Sequence, residues 1–203
     1  MEIEELWTRI EAAAPLESPP DVAPDWDDGA AERARLQTDR RRHFLALYAW
    51  CVPTREAVEV VATFAGERAI LEVCAGNGLW ARLIAAAGAK VVATDGEPRG
   101  DSEYHAVEAL EAEQAVRRHP ECEALLLCWP PFQDDAAYRA LSAFGGDRVI
   151  YAGDSRFTAE PRFHELLAQE WTLARQIVLP SWPGLADAIY FYERDDPSAL
   201  RSP

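Results

Sequence analysis

The sequence predicts an α/β protein: a mostly parallel sheet of seven strands, helices on both faces, an antiparallel final strand and an N-terminal helical extension. Three observations carry the prediction. Residues 69–95 read as strand, glycine turn, helix, strand and terminal acid. Short apolar runs then alternate with helical patterns through residues 104–110, 124–128 and 148–152, as expected of βαβ units. The chain closes on two strand patterns, 171–179 and 186–193, around Pro180-Ser-Trp-Pro-Gly184, which reads as a hairpin.

At 203 residues, one domain with an N-terminal extension is expected. The boundaries are 1–29 for a helix and linker, 30–194 for the domain and 195–203 for a frayed tail. A net charge of −15 disfavours a nucleic-acid partner, because phosphate contacts need a basic surface. Cys51, Cys74, Cys122 and Cys128 show no CxxC spacing, so buried thiols are expected rather than a metal site. The start, Met-Glu-Ile-Glu-Glu, lacks the basic and apolar regions of a signal peptide, and no apolar run reaches spanning length. The expected location is the cytoplasm, with no membrane.

Ile3, Leu6, Trp7 and Ile10 form one face of a first helix. That face packs on the domain, makes a homodimer, or lies over the active site as a lid. Residues 15–29 carry four prolines among five acids and read as an extended linker, in which Trp26 is expected to dock as a packing anchor or a pocket wall. Residues 30–50 form a longer helix. Its arginines, Arg33, Arg35, Arg40, Arg41 and Arg42, make either a solvated face or an anion site. His43 beside them is a candidate catalytic base or a structural residue. Tyr48 and Trp50 are candidate walls of a cofactor or substrate pocket, or fill the helix–sheet interface. Thr54 caps the next helix, 55–65.

The central unit narrows the ligand. A dinucleotide fingerprint needs G-x-G-x-x-G, so that a pyrophosphate can sit on the helix N-terminus. The corresponding positions are Cys74, Gly76 and Leu79, so only the middle glycine is present. Asp95 lies 17 residues after Gly78, at the end of the second strand.

Glu72-Val-Cys74-Ala75-Gly76-Asn77-Gly78 resembles motif I of the class I S-adenosylmethionine-dependent methyltransferases, an acid followed by x-G-x-G-x-G, with cysteine at the first glycine. The resemblance covers about residues 48–194 and implies a Rossmann-like fold whose seventh strand is inserted antiparallel between the fifth and sixth. It implies that residues 72 and 74–78 hold S-adenosyl-L-methionine, with S-adenosyl-L-homocysteine as product. Asp95 would hold the ribose, Gly96 would lie beside the cofactor, Glu111 would hold the adenine amine, and Ala112 the ring face. Read without the resemblance, residues 103–118 also suit one continuous helix.

Cys128-Trp129-Pro130-Pro131-Phe132 follows the strand 124–128 and resembles motif IV of amino-methyltransferases, where Asp or Asn precedes Pro-Pro-aromatic. The prolines stiffen the loop. The resemblance implies catalytic roles for Cys128, Trp129 and Phe132, with Cys128 also beside the cofactor. Trp129 replaces the polar residue that would orient an amine, so the acceptor atom (N, O or C) stays open. Tyr151 near the end of the fifth strand, and Asp154 and Arg156 in the loop after it, are either substrate contacts or ordinary structural residues, with Asp154 the candidate substrate contact. Trp182 borders the substrate or caps the sheet edge.

The favoured reading is methyl transfer to a small molecule by SN2 displacement, with substrate contacts from Tyr48, Trp50, Trp129, Phe132 and Asp154. Two others stay open: the same cofactor serving a non-methylating cyclisation or rearrangement, and a non-catalytic interaction module with its pocket plugged by Trp129 or Trp26.

Overall fold

The computed structural model describes residues 1–15, 28–99 and 104–194. The linker core with Trp26, the loop at 100–103 and the tail from 195 lie outside the described residues.

Seven strands form one sheet: β1 (Ala69–Val73), β2 (Val91–Asp95), β3 (Val107–Ala109), β4 (Cys122–Cys128), β5 (Arg148–Gly153), β6 (Trp171–Val178) and β7 (Ala188–Arg194). Their order is β3-β2-β1-β4-β5-β7-β6. Only β7 runs antiparallel to its neighbours, and it sits between β5 and β6 as expected. The chain leaves β1 on one side for β2 and returns on the other as β4. That reversal opens a crevice at the strands' carboxyl ends, the usual ligand position in such sheets.

Two layers of helices cover the faces. Helices α1 (Ile3–Ala13), α2 (Asp28–Leu47), α3 (Arg55–Ala65) and α4 (Leu79–Ala86) share a core with Ile70, Leu126, Ile150 and Phe191. Helices α5 (Ala112–Arg118), α6 (Ala136–Ala143) and α7 (Pro161–Glu170) pack on Leu71, Val73, Leu125 and Leu127. Alternate residues of β1 and β4 thus enter opposite layers, as pleating requires. Glu72, next in line after Ile70, enters the first layer as a buried carboxyl.

Several boundaries follow from local chemistry. The Thr54 hydroxyl accepts the Ala57 amide at 3.1 Å and starts α3 where expected. Pro161 opens α7 in the first turn, where its missing N–H costs nothing. Helix α2 ends at Leu47, three residues early, with its last carbonyls taken from outside. Asn77 and the Tyr104 hydroxyl donate to the Leu47 carbonyl, and Arg99 donates to Leu45. The third strand is a three-residue edge followed by α5, so the continuous helix does not form.

Two readings left open by the sequence are narrowed. Leu6, Trp7 and Ile10 are buried against the chain's own core, so the apolar face of α1 packs on the domain, and nothing in the structure supports a homodimer or a lid made by that face. Within the arginine cluster, Arg40 donates to the carbonyls of Ala12 and Ala14, capping α1, and Arg42 pairs with Asp39. No described helix is long and apolar enough to cross a membrane.

Candidate functional site

The glycine loop leaves β1 through three left-handed residues, Cys74 (φ 58°), Gly76 (φ 59°) and Gly78 (φ 77°). Glycine adopts this region without penalty, whereas a side chain is strained there. The first-glycine position is therefore left-handed here too, and Cys74 tolerates the strain. Gly78 is a packing requirement. An added Cβ would lie 2.9 Å from the Cβ and carbonyl oxygen of His105, and the residue itself does not line the cleft.

Asp95 ties the loop to β2. One carboxylate oxygen accepts the Gly76 amide at 2.8 Å, and the other accepts the Glu97 amide at 2.9 Å. The Gly76 carbonyl in turn accepts from Arg99. Glu111, just before α5, lies over Gly96; an added Cβ there would stand 2.8 Å from Oε1 of Glu111. Cys74, Gly76, Asp95, Gly96, Glu111, Ala112 and Cys128 all line one cleft of ≈ 690 Å³. The opposite wall includes Trp50, Trp129, Pro130, Pro131, Phe132 and Phe157.

A smaller cavity of ≈ 30 Å³ lies beneath the loop, lined by Tyr48, Trp50, Glu72, Cys74, Ala75, Gly76, Asn77, Arg99 and Cys128, among others. Burial pushes the Glu72 carboxyl up to about 8, and the nearby Asp95 charge adds to this, against the opposing Ala81 amide. Its Oε2 is buried without a partner. Burial likewise pushes the Cys74 thiol up to about 12.

The loop after β4 is held from behind. Trp129 is left-handed (φ 51°), and its amide donates to the Ala152 carbonyl at 2.8 Å. Its indole N–H donates to Oδ1 of Asp187 at 2.8 Å, and its ring stacks on Trp50 at 5.2 Å between centroids. Asp187 is fully buried, its Oδ2 unpartnered, and burial pushes its carboxyl up to about 6. Sequence reasoning missed Asp187, Arg99 and Phe157. Each is an unremarked loop or strand-edge residue whose role depends on distant neighbours.

Three candidates lie away from the cleft lining. Asp154 is buried, and Arg156 holds its carboxyl down to about 2. Its oxygens accept the Arg156 amide and guanidinium and the Ala186 amide, so it organises the β5 loop, and it does not line the cleft. His43, the candidate base, is exposed on α2 and lines neither cavity. Trp182 is buried in the core rather than bordering substrate. Among the described residues, no group of three or more His, Cys, Asp or Glu side chains could hold a metal ion.

No protein-family model matches the chain, and no curated protein matches its sequence. Solved structures do match in shape. Burkholderia thailandensis 1,6-didemethyltoxoflavin-N1-methyltransferase, with 1,6-didemethyltoxoflavin and S-adenosylhomocysteine bound, aligns with a TM-score of 0.53 at 17% identity, over 90% of this chain and 94% of that one. Magnesium protoporphyrin IX methyltransferase from Synechocystis PCC 6803, with S-adenosylhomocysteine bound, aligns with a TM-score of 0.53 at 11% identity, over 95% and 94%. The fold is that of the class I S-adenosylmethionine-dependent methyltransferases.

Proposed function

We propose that the protein is an S-adenosylmethionine-dependent methyltransferase acting on a small molecule, with S-adenosylhomocysteine as product. One observation carries the reading. A buried carboxyl oxygen of Glu72 has no partner, and it lines a cavity directly under the glycine loop, beside a cleft that contains Asp95 and Glu111. An unpaired buried carboxyl is costly, and a cationic ligand group would compensate it. The amino acid end of S-adenosylmethionine carries such a cation.

Glu72 would hold the ammonium, Asp95 the ribose hydroxyls, and Glu111 with Ala112 the adenine. When bound, the cofactor supplies an electrophilic methyl group on a sulfonium. The residues of this chain do the rest by positioning. Cys128 and the stiff Pro130-Pro131 turn close one side of the cleft, while Trp129 and Phe132 exclude water from the acceptor's side. The two bound-product structures of the same fold support this choice of cofactor. Both are named for small-molecule acceptors, which supports that substrate class. An interaction module would have Trp129 or Trp26 plugging the pocket; Trp26 lies outside the described residues, and Trp129 stands on the wall of the cleft.

Calorimetric titration with S-adenosylmethionine and S-adenosylhomocysteine tests the proposal. Micromolar binding of both is expected, followed by acceptor screening for a mass gain of one CH₂. Absence of binding by either would leave the fold and remove the function.

A further inference from the structure

Trp129 is held in place at some cost. A bulky side chain at positive φ is a genuine outlier, and such strain persists only where the surroundings impose it. Here they impose it from three directions: the Ala152 carbonyl takes the amide, Asp187 takes the indole N–H, and Trp50 covers one ring face with an interplanar angle of 19°. Asp187 is itself an expensive support, a fully buried carboxyl with one oxygen unpartnered. Core packing alone does not require any of this, because Trp129 is only partly buried and lines the cleft.

The wall around it has a consistent chemistry. Trp50, Phe132 and Phe157 are 40%, 46% and 49% exposed, and with Pro130 and Pro131 they line the same cleft as Trp129. Large rigid rings left open to water at one mouth mark a ligand site. The charges there disfavour a negatively charged ligand. Asp95, Glu97, Glu111 and Asp134 line the cleft and would repel an anion. The cation of Arg99 lies over the Trp50 ring at 5.6 Å.

We propose that the acceptor is a planar aromatic or heteroaromatic small molecule without negative charge that packs against the Trp129 wall, and that Asp187 is the positioning residue that fixes that wall. That this ligand is a methyl acceptor rests on the methyltransferase reading, but the ring site itself is testable without cofactor.

The probes are 2-naphthol and decahydro-2-naphthol, a planar and a puckered molecule with the same carbon skeleton and hydroxyl, titrated by saturation-transfer NMR. Wild type should bind 2-naphthol about tenfold more tightly than the saturated alcohol, since flat rings stack on indole and puckered ones do not. Trp129→Leu should abolish that preference. Asp187→Asn keeps an oxygen for the indole N–H and should stay within about threefold of wild type, while Asp187→Ala should lose about fivefold or more. If Asp187→Ala does not fold, Trp129→Phe breaks the same bond from the other side and should lose about threefold. Equal binding of the two alcohols, or an unchanged Trp129→Leu, would overturn the ring site. Wild-type affinity in Asp187→Ala, or in Trp129→Phe where the former does not fold, would overturn the role of Asp187. A wild type that binds 2-naphthol but not S-adenosylhomocysteine would keep the ring site and remove the methyltransferase reading.

Discussion

Replacing Glu72 by glutamine should make the ligand-free protein more stable in alkali and a worse binder of cofactor. Burial raises the Glu72 carboxyl from 4.5 to about 8, so the native state keeps its proton where the unfolded chain has lost it. The native state therefore binds more protons than the unfolded one between these values. The stability contribution is fully present below pH 4.5 and is lost as the pH rises through 8. At about 1.4 kcal/mol per pH unit, the whole loss is about 5 kcal/mol. The adjacent cavity of ≈ 30 Å³ has room for water beside the carboxylate, which lowers the cost. We expect about 1–3 kcal/mol at pH 9, the range for a buried polar group left unpaired. Glutamine has the same shape and never ionises, so Glu72→Gln should match wild type in urea unfolding at pH 5 and exceed it by that amount at pH 9. All other titrating groups are common to both proteins and cancel. With S-adenosylmethionine the order reverses. Pairing with the ammonium requires the charged carboxylate, so binding to wild type at pH 7 should release a proton. The release is measurable as a buffer-dependent enthalpy and should vanish in Glu72→Gln, along with about 1.5–3 kcal/mol of affinity. A variant no more stable than wild type at pH 9, or a wild type that releases no proton, would refute the reasoning.

Asp95→Ala removes the acceptor of both the Gly76 and Glu97 amides and should weaken S-adenosylhomocysteine binding by about 1.5–3 kcal/mol in calorimetry, with the protein still folded. Gly78→Ala drives a Cβ against His105 and should cost about 1–3 kcal/mol of stability by denaturant midpoint, even though Gly78 does not line the cleft. Cys74→Gly relieves a left-handed side chain and should raise the thermal midpoint by an amount worth about 1 kcal/mol. Thr54→Ala deletes the α3 cap, far in chemistry from the cleft, and should cost about 1 kcal/mol in stability with cofactor affinity unchanged.

The parts of the fold that were legible in sequence are those whose signal is local. The strands β1 and β4 are buried on both faces and read as continuous apolar runs. Helix α3 announces itself by Thr54 and α7 by Pro161. The third strand is ambiguous in sequence because it is three residues at a sheet edge, two of them exposed, too short to show a period. The site was legible where backbone geometry demands a residue type, as at Gly76, and where the chain must turn in acid, as at Asp95. It was not legible where a side chain's role comes from a remote neighbour. Asp154 looked free in sequence, but Arg156 two residues on and Ala186 beyond the next helix consume its oxygens. Asp187 carried no signal at all. It meets Trp129, 58 residues away, only because β7 returns antiparallel beside β5.

The strain in the backbone gives a separate reason to place function at this cleft. Among the described residues, only Cys74, Trp129 and Ala159 are non-glycine residues at positive φ. Cys74 ends β1 and Trp129 ends β4, neighbouring strands, and both line the cleft. Ala159 donates its amide to the Pro130 carbonyl at 3.0 Å and so braces the same loop from the β5 side. Elsewhere the chain uses glycine for such turns, as at Gly66, Gly88 and Gly184. Glycine at any of the three strained positions would relieve about 1 kcal/mol. Each carries a side chain instead. Two of them face the space where cofactor and acceptor would meet, and the third holds the loop that carries Trp129. Strain gathered at one place and absent from the other turns is the signature of a site in which rigidity of a particular geometry outweighs stability.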